Sequence, residues 1–569
     1  MANNIGLDFG TTYSVISHLK KVKRDGSAIK DYELEAYSYA EGKSACQDSI
    51  VVRNEKNTPS LLFGQAARNK VGMKGYQTYK GFKMMLSEEP GSKNLVDRGY
   101  TEDFTPYRAT SVYIENLLNG YVDGLNLERL DKVVVGVPEI WFEDNSTMDC
   151  REILEGIISG FENVGEVQVV SEPAAACAFF VENYRKNKNK KYAGKILLVD
   201  YGGGTLDIAL CDVKANGESS EVSVIKRCGA GVNGEEFIGK AGLAYIELVT
   251  KILFRNIGMT DEEIINHRKF NKWMHEVENA LMNHTSEIKE IYRCTPNQER
   301  KYFDEDYIVD TFEYAEDEEI SITYAALTQA YEQLIAPVLG EKLKEILEYM
   351  DSHGIEYGAE RGEEFKIAPV GGFCNFYLVQ EQIEKAFGHG PEDKRFEDII
   401  NDRSECEKAI SYGAALIANN IIDFKQLAPY HLGIAGGDKN QDDPEIFYAI
   451  HKGDDIVYDE PVFIKEKNGK EDMIFGGNRI PLFAFSTDDA DVPSHYQLGE
   501  PLQEYKDALK LDENQIYKIG ISFDKSMIIS VHKHTIKSPE ELDIIVSKSK
   551  VKLTDIRTLL GGLTRVRRK

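Results

Sequence analysis

Short apolar runs that end on an aspartate and a glycine turn organise this chain. Ile196-Leu197-Leu198-Val199 stops at Asp200, and Gly202, Gly203, Gly204 and Thr205 lead into a second apolar run containing Asp207. A short branched run bounded by turn residues predicts a buried strand, so the stretch reads as strand, glycine hairpin, strand. Residues 5–16 repeat the pattern: Ile5-Gly6-Leu7, then Asp8, Phe9, Gly10, Thr11, Thr12 and Tyr13, then a new apolar strand. Glycines let a hairpin turn its N–H groups toward one point, which suits a phosphate, and a carboxylate at a strand end suits hydrated Mg²⁺. One such hairpin is more often just a tight turn. Two predict a pair of related lobes, each offering a phosphate-facing hairpin.

Alternating stretches at 32–40 and 48–54 read as further strands, and 61–70 ends in a short basic segment able to approach the same site. Helical spacing over 111–130 precedes a buried strand at 133–137, and 144–160 reads as a helix. A strand at 167–170 then meets Ser171-Glu172-Pro173 and a small-residue helix over 174–184. Proline suits the first helical turn, which holds Glu172 at a strand-to-helix corner. This alternation predicts an α/β sheet with ligands beyond the carboxyl ends of its strands, where Asp8, Glu172 and Asp200 point. A glycine-rich loop at 229–235 contains Gly234 and Glu235; a third phosphate contact and a plain loop-to-helix cap fit it equally.

Residues 235–351 read as long amphipathic helices with a strand insert at 307–314 and a helix start or kink at Pro337. Residues 365–372 repeat strand and glycine pair (Gly371, Gly372) before a helix at 375–387, and 405–420 is a small-residue helix suited to close packing. The helical pattern breaks at 421–429, a linker. Beyond Tyr430 short alternating strands (431–435, 446–450, 456–465, 517–523, 527–534) predict a β-sandwich or barrel, and 553–569 a short helix with a basic tip.

Composition narrows the functional classes. A chain of 569 residues is too long for one core. Its formal net charge of −27 argues against nucleic acid or an anionic membrane as partner. Eight scattered cysteines without CxxC spacing predict a reduced, cytoplasmic protein without a zinc site. The N-terminus enters a strand at once, leaving no room for a signal peptide, and no apolar run would span a bilayer.

These stretches together resemble the 70-kilodalton heat-shock protein family of chaperones. The matching motifs are IGLDFGTTYS at 5–14, VPEIWF at 137–142, VVSEPAAA at 169–176, LLVDYGGGTLDIAL at 197–210, GVNGEEF at 231–237, VGG at 370–372 and AISYGAALIA at 409–418. YHLGIAGG at 430–437, IGISFDKSMIISV at 519–531 and IIDFKQLAP at 421–429 match more loosely the family's substrate-binding domain and linker. The resemblance implies an α/β two-lobed actin-like ATPase domain (ribonuclease H-like, duplicated) over 1–420, with lobe I near 1–190, lobe II near 191–390 and a return helix to 420. A linker at 421–429, a small β-sandwich domain at 430–550 and a helix or tail at 551–569 would follow. The family's long helical lid and acidic tail have no counterpart before Lys569, so peptide exchange is expected to be weak and fast.

Residue by residue, the resemblance assigns Asp8, Glu172, Asp200 and Asp207 to orienting the attacking water, the first three also holding Mg²⁺ mainly through water. Gly10, Thr11, Thr12, Tyr13, Gly202, Gly203, Gly204 and Thr205 would cradle the phosphates of ATP or ADP, with Gly234 and Glu235 beside them. Glu278, Gly371, Gly372 and Asn375 match the adenosine side. Two departures stand out. Arg68, counted with the catalytic residues, occupies the position of the lysine in the family's GxAAK segment, forked where lysine is a point charge. Leu281, Met282 and Asn375 stand where the family clasps adenine with basic side chains. The implied function is a chaperone-like ATPase that hydrolyses ATP with Mg²⁺ to gate peptide or protein binding. Its implied partners are unfolded or extended peptide segments and a co-chaperone or nucleotide-exchange protein. The alternative is a nucleotide-gated binding scaffold with little or no hydrolysis. A sugar kinase and an actin-like filament share paired hairpins but lack the terminal β-domain.

Overall fold

The computed structural model describes residues 3–21, 32–39, 44–54, 60–143, 149–216, 219–231, 240–265, 267–294, 307–388, 393–396, 407–436, 445–465, 472–476, 482–486, 497–498, 516–536 and 562–567. The chain divides into two compact units, Met1–Lys425 and Gln426–Lys569.

In the first unit the strands begin with β1 (Asn4–Phe9), β2 (Tyr13–Lys21), β3 (Tyr32–Ala36), β4 (Gln47–Asp48), β5 (Ile50–Asn54), β6 (Leu61–Phe63), β7 (Tyr76–Lys80), β8 (Leu130–Val137) and β9 (Val164–Ser171). One sheet runs β3-β2-β1-β8-β9, with β4 beside β2, and a small sheet runs β6-β5-β7. Ile5, Leu7 and Phe9 are fully buried, as are Val133, Val134 and Val135 of β8, the continuous apolar texture of strands covered on both faces.

Lobe II uses β10 (Gly194–Tyr201), β11 (Leu206–Asn216), β12 (Ser219–Ala230), the hairpin β13 (Ile308–Ala315) and β14 (Glu318–Thr323), then β15 (Phe365–Val370) and β16 (Ile422–Lys425). Its main sheet runs β15-β10-β11-β12-β16. The two sheets share one plan. β1-β2-β3 and β10-β11-β12 are antiparallel meanders, and a parallel strand, β8 or β15, lies on the far side of the first strand in each. The repeated Asp-Gly pattern is therefore a repeated topology.

The helix Glu172–Lys188 packs on the helix Ala409–Ala418, where Gly413 lies so close to the Ala175 carbonyl that a Cβ would clash. Small residues there let two backbones approach, as the sequence pattern implies. Helix Ala409–Ala418 also lies against β1, and Ser411 Oγ meets Ser17 Oγ at 2.7 Å.

Two expectations change. Residues 422–425, read as linker, form β16, which pairs in parallel with β12 from Ser220↔Ile422 to Ser223↔Lys425. Ile422 and Phe424 are buried in the core while Asp423 faces out, so the alternation of a half-buried strand prevails over the break in helical pattern. Residues 562–567, expected to be helical, form β25 (Gly562–Arg567), antiparallel to a neighbouring strand; Thr564 and Val566 are β-branched and suit that role.

The second unit holds β17 (His431–Gly436), β18 (Glu445–Ile450), β19 (Val462–Phe463), β20 (Phe475–Gly476), β21 (Leu482–Ser486), β22 (Gln497–Leu498), β23 (Ile516–Phe523), β24 (Ile529–Thr535) and β25. They form two sheets, β18-β17-β21-β22 and β19-β23-β24-β25, with β20 also on β23. Tyr430 bridges them, its ring 4.6 Å from Phe485 and 5.7 Å from Phe523. Among the described residues no helix is long and apolar enough to cross a membrane.

Candidate active site

Asp8 lies near the end of β1 and Asp200 near the end of β10, each just before its hairpin. In the β10–β11 hairpin Asp200 stands opposite Asp207. Gly202 N–H donates to the Thr205 carbonyl at 3.0 Å and closes the turn. The helix Gly242–Asn256 braces it from behind, with Gly242 N–H on the Gly202 carbonyl and Leu243 N–H on the Gly203 carbonyl. In the first hairpin, Ser49 N–H donates to the Thr12 carbonyl and Ser49 Oγ to the Gly10 carbonyl at 2.7 Å. The turns face one another: a Cβ on Gly203 or Gly204 would clash with the hydroxyls of Thr12 and Thr11.

β9 ends at Ser171, whose side chain caps the helix beginning at Glu172 by accepting from Ala174 N–H, and Pro173 occupies the first turn. Glu172 is thus held at the expected corner, where its charge acts on Asp8, Asp200 and Asp207. Across the cleft floor, Gly371 adopts φ 83, and a Cβ there would collide with the Asp200 carboxylate and the Tyr201 carbonyl. Only glycine fits that position without strain. Gly372 is exposed, and Asn375 closes the turn that follows. Phe373 beside them packs against Tyr201 and Tyr245, both at 5.1 Å.

Three of these carboxyls, on Asp8, Asp200 and Asp207, are pushed above the usual carboxylate range. Burial first, and Glu172 next, push the Asp8 carboxyl up to about 8 against the pull of Lys83. Burial likewise drives Asp200 well above the usual carboxylate range, with Glu172, Asp207 and Asp8 adding to it. Asp207 is raised by burial and Glu172, although the Thr205 hydroxyl and the Glu139 N–H, at 2.7 Å, favour its charged form. These are buried hard oxygen donors short of positive charge, the donor set that suits a hydrated divalent cation such as Mg²⁺. Among the described residues no three such groups stand close enough to ligate an ion directly.

Arg68 and Glu278 make their ion pairs outside this group. Arg68 ends a short helix, Gly64–Arg68, and its guanidinium donates to Asp48 Oδ1 at 2.5 Å, Tyr13 Oη at 3.0 Å and Asn279 Oδ1 at 2.8 Å. The fork therefore spans from β4 and β2 in lobe I to the helix Phe270–Cys294 in lobe II, and the cation on Glu172 is another residue, Lys83. Glu278, expected on the adenosine side, pairs with Lys80 of β7 at 3.6 Å and with His275 at 3.3 Å. Burial alone would raise its carboxyl, but Lys80, His275 and Arg68 hold it down to about 2. Tyr13 joins this cross-cleft cluster, its hydroxyl 3.2 Å from Met282 Sδ. Leu281 packs on the lobe II core and Met282 is exposed. Gly234 and Glu235 lie outside the described residues.

Sequence reading missed Lys83, Asp48 and Glu139. Each carried a faint signal, a charge inside an otherwise apolar or small-residue stretch: FKMML, CQDSIVV and VPEIW.

A two-lobed α/β unit with paired Asp hairpins facing each other is the arrangement of actin-like ATPase domains. Residues 4–224 match the family described as Hsp70 protein. The chain is similar to the chaperone protein DnaK of Thermosipho africanus, 29% identical over 210 residues, 37% of this chain and 30% of that protein. DnaK of Thermotoga petrophila is 27% identical over 213 residues, and a heat shock 70 kDa protein of Ajellomyces capsulatus 23% over 239. By this N-terminal region the chain is similar to the Hsp70 family. The match spans 30% of the length of each of these relatives.

Proposed function

We propose that the first unit binds ATP with Mg²⁺ between its two hairpins and hydrolyses it, and that nucleotide state gates peptide binding by the second unit. The observation that carries this reading is the convergence of Asp8, Glu172, Asp200 and Asp207 in one buried group beside two facing glycine–threonine turns. Phosphoryl transfer asks little covalent chemistry of a protein beyond positioning and charge stabilisation, which such a group supplies. Mg²⁺, when bound, would neutralise phosphate charge. Asp8, Glu172 and Asp200 would hold its waters, and Asp207 would orient the attacking water and accept its proton. Thr11, Thr12 and Thr205, with the amides of Gly202 to Gly204, would donate to phosphate oxygens. Phe373, with Gly371 and Gly372, offers an apolar wall for the adenosine side.

The two sheets of the second unit support a β-sandwich that takes extended peptide segments. β16, the last strand of the first unit, lies on the edge of the sheet that carries Asp200 and is the natural place for nucleotide state to be read. A co-chaperone or exchange protein would act on the same equilibrium.

A second reading, nucleotide-gated binding without turnover, is favoured by Leu281, Met282 and Asn375, which offer no cation to the base. Thermal unfolding with ATP, ADP and GTP separates the two. Ligand at about 100 times its Kd stabilises by about 2.7 kcal/mol, a shift of a few degrees. A shift by ATP with phosphate release supports the ATPase, a shift without release supports the scaffold, and no shift by any nucleotide overturns both.

A further inference from the structure

The stretch that follows β8 buries an ion pair of its own beside the cleft. Glu139 comes after Pro138 and before the short helix Ile140–Glu143, and its side chain is fully buried. Arg227 of β12, also buried, places its Nε 2.8 Å from Glu139 Oε2. The guanidinium carbon lies 5.5 Å from the Phe142 ring centroid, a cation over an aromatic face. Burial pushes the Glu139 carboxyl up, while Arg227 and the Ser171 hydroxyl favour its charged form. A buried pair of this kind gains little net stability, because desolvation offsets the attraction. Its place in the fold gives it another use.

The main chain of Glu139 shows what that use is. Its N–H donates to Asp207 Oδ1 at 2.7 Å, while Asp207 Oδ2 is buried without a hydrogen-bond partner among the described residues. One oxygen is tied and the other is left open to accept. Asp207 stands opposite Gly229 in the β11–β12 ladder, and Arg227 stands opposite Ala209, so Arg227 and Gly229 share one face of β12. A Cβ on Gly229 would lie 3.5 Å from Asp207 Oδ1 and 3.7 Å from the Ile140 nitrogen. β12, the Glu139–Ile140 turn and Asp207 therefore meet at one place. We infer that Arg227 is a positioning residue for Asp207: by pairing with Glu139 it fixes the turn after β8 against β12, holds the Glu139 amide on Oδ1 and keeps Oδ2 available to the attacking water. β8 belongs to the sheet of lobe I and β12 to that of lobe II. The pair thus also locates Asp207, on lobe II, relative to Glu172, which follows β9 of lobe I.

The inference rests on the reading of the carboxylate group as an ATP-hydrolysing site, and two readouts let the two fail separately. Full-length wild type is compared with Arg227→Met, Arg227→Lys and the double variant Glu139→Gln/Arg227→Met. Arg227→Met strands a buried carboxylate, which destabilises strongly; the double variant removes both charges at similar volume and is expected to stay folded. The first readout is hydrogen exchange of the Glu139 amide without nucleotide. In the folded double variant it should quicken about tenfold or more, with the amides of β8 and β12 unchanged. The second is steady-state ATP hydrolysis with Mg²⁺. The double variant should lose about 10–100-fold in kcat with KM within about threefold, the mark of a misplaced catalytic group, and Arg227→Lys should recover part of the loss. A folded double variant with wild-type kcat overturns the assignment, because a merely structural pair predicts that result. A KM that rises more than kcat falls, or Glu139 exchange equal to wild type, overturns it as well. A wild type without turnover overturns the hydrolytic reading alone, and the exchange of the Glu139 amide then decides whether Arg227 holds it on Asp207.

Discussion

Asp200 and Asp207 face each other directly across the β10–β11 hairpin, and both are buried, 4% and 1% exposed. Like charges directly opposite on adjacent strands are destabilising, and burial raises the cost. On the function proposed above, a fold that keeps such a pair, with Asp8 and Glu172 beside it, would receive a cation there. Asp8 has its folded value raised from 3.8 to about 8, so its neutral form is favoured in the fold. That stability is fully present below 3.8 and is lost as pH rises through about 8. Without Mg²⁺, the first unit should therefore melt at lower temperature at pH 8.5 than at pH 5.5. Mg²⁺ should recover more stability at the higher pH. Differential scanning calorimetry at both pH values, with and without Mg²⁺, checks both statements.

Gly371→Ala should be destabilising and should damage nucleotide binding together. The backbone at φ 83 strains any side chain, and the new methyl group meets the Asp200 carboxylate and the Tyr201 carbonyl. Strain of this kind costs about 1–3 kcal/mol. Denaturant unfolding should show that loss, and the ATP-induced thermal shift should shrink. Gly372→Ala, with open space around its Cβ position, should be near neutral in stability.

Arg68→Lys separates the two roles a cation at this position could have. A lysine can keep the charge facing Asp48 but cannot also reach Tyr13 and Asn279 as a fork does. Nucleotide release, followed by stopped-flow fluorescence, should accelerate about tenfold, while single-turnover hydrolysis stays within about threefold. A collapse of hydrolysis with unchanged release would place Arg68 back among the reacting groups.

Much of this arrangement was legible in the sequence because local chemistry dictated it. Asp8, Asp200 and the glycine turns follow from apolar runs cut by turn residues, and Glu172 from a proline in the first turn of its helix. Those signals are short-range. The partners of Arg68 were not legible, because Asp48, Tyr13 and Asn279 lie 20, 55 and 211 residues away, beyond the reach of any local pattern. Lys83 was overlooked for the opposite reason: a lysine beside Phe82 and Met84 reads as a surface residue of an amphipathic turn until the fold buries it against Glu172. β16 was hidden because four residues of alternation are too few to outweigh a break in the preceding helix, and β12 supplied the missing partner.

On the function proposed above, the buried carboxylate group performs Mg²⁺-dependent ATP hydrolysis. Steady-state phosphate release by wild type and Asp200→Asn, as a function of Mg²⁺ at saturating ATP, tests it most directly. Turnover should require Mg²⁺ and fall about 100-fold or more in Asp200→Asn, with the variant still folded. Turnover that is indifferent to Mg²⁺, or equal in Asp200→Asn and wild type, would contradict it.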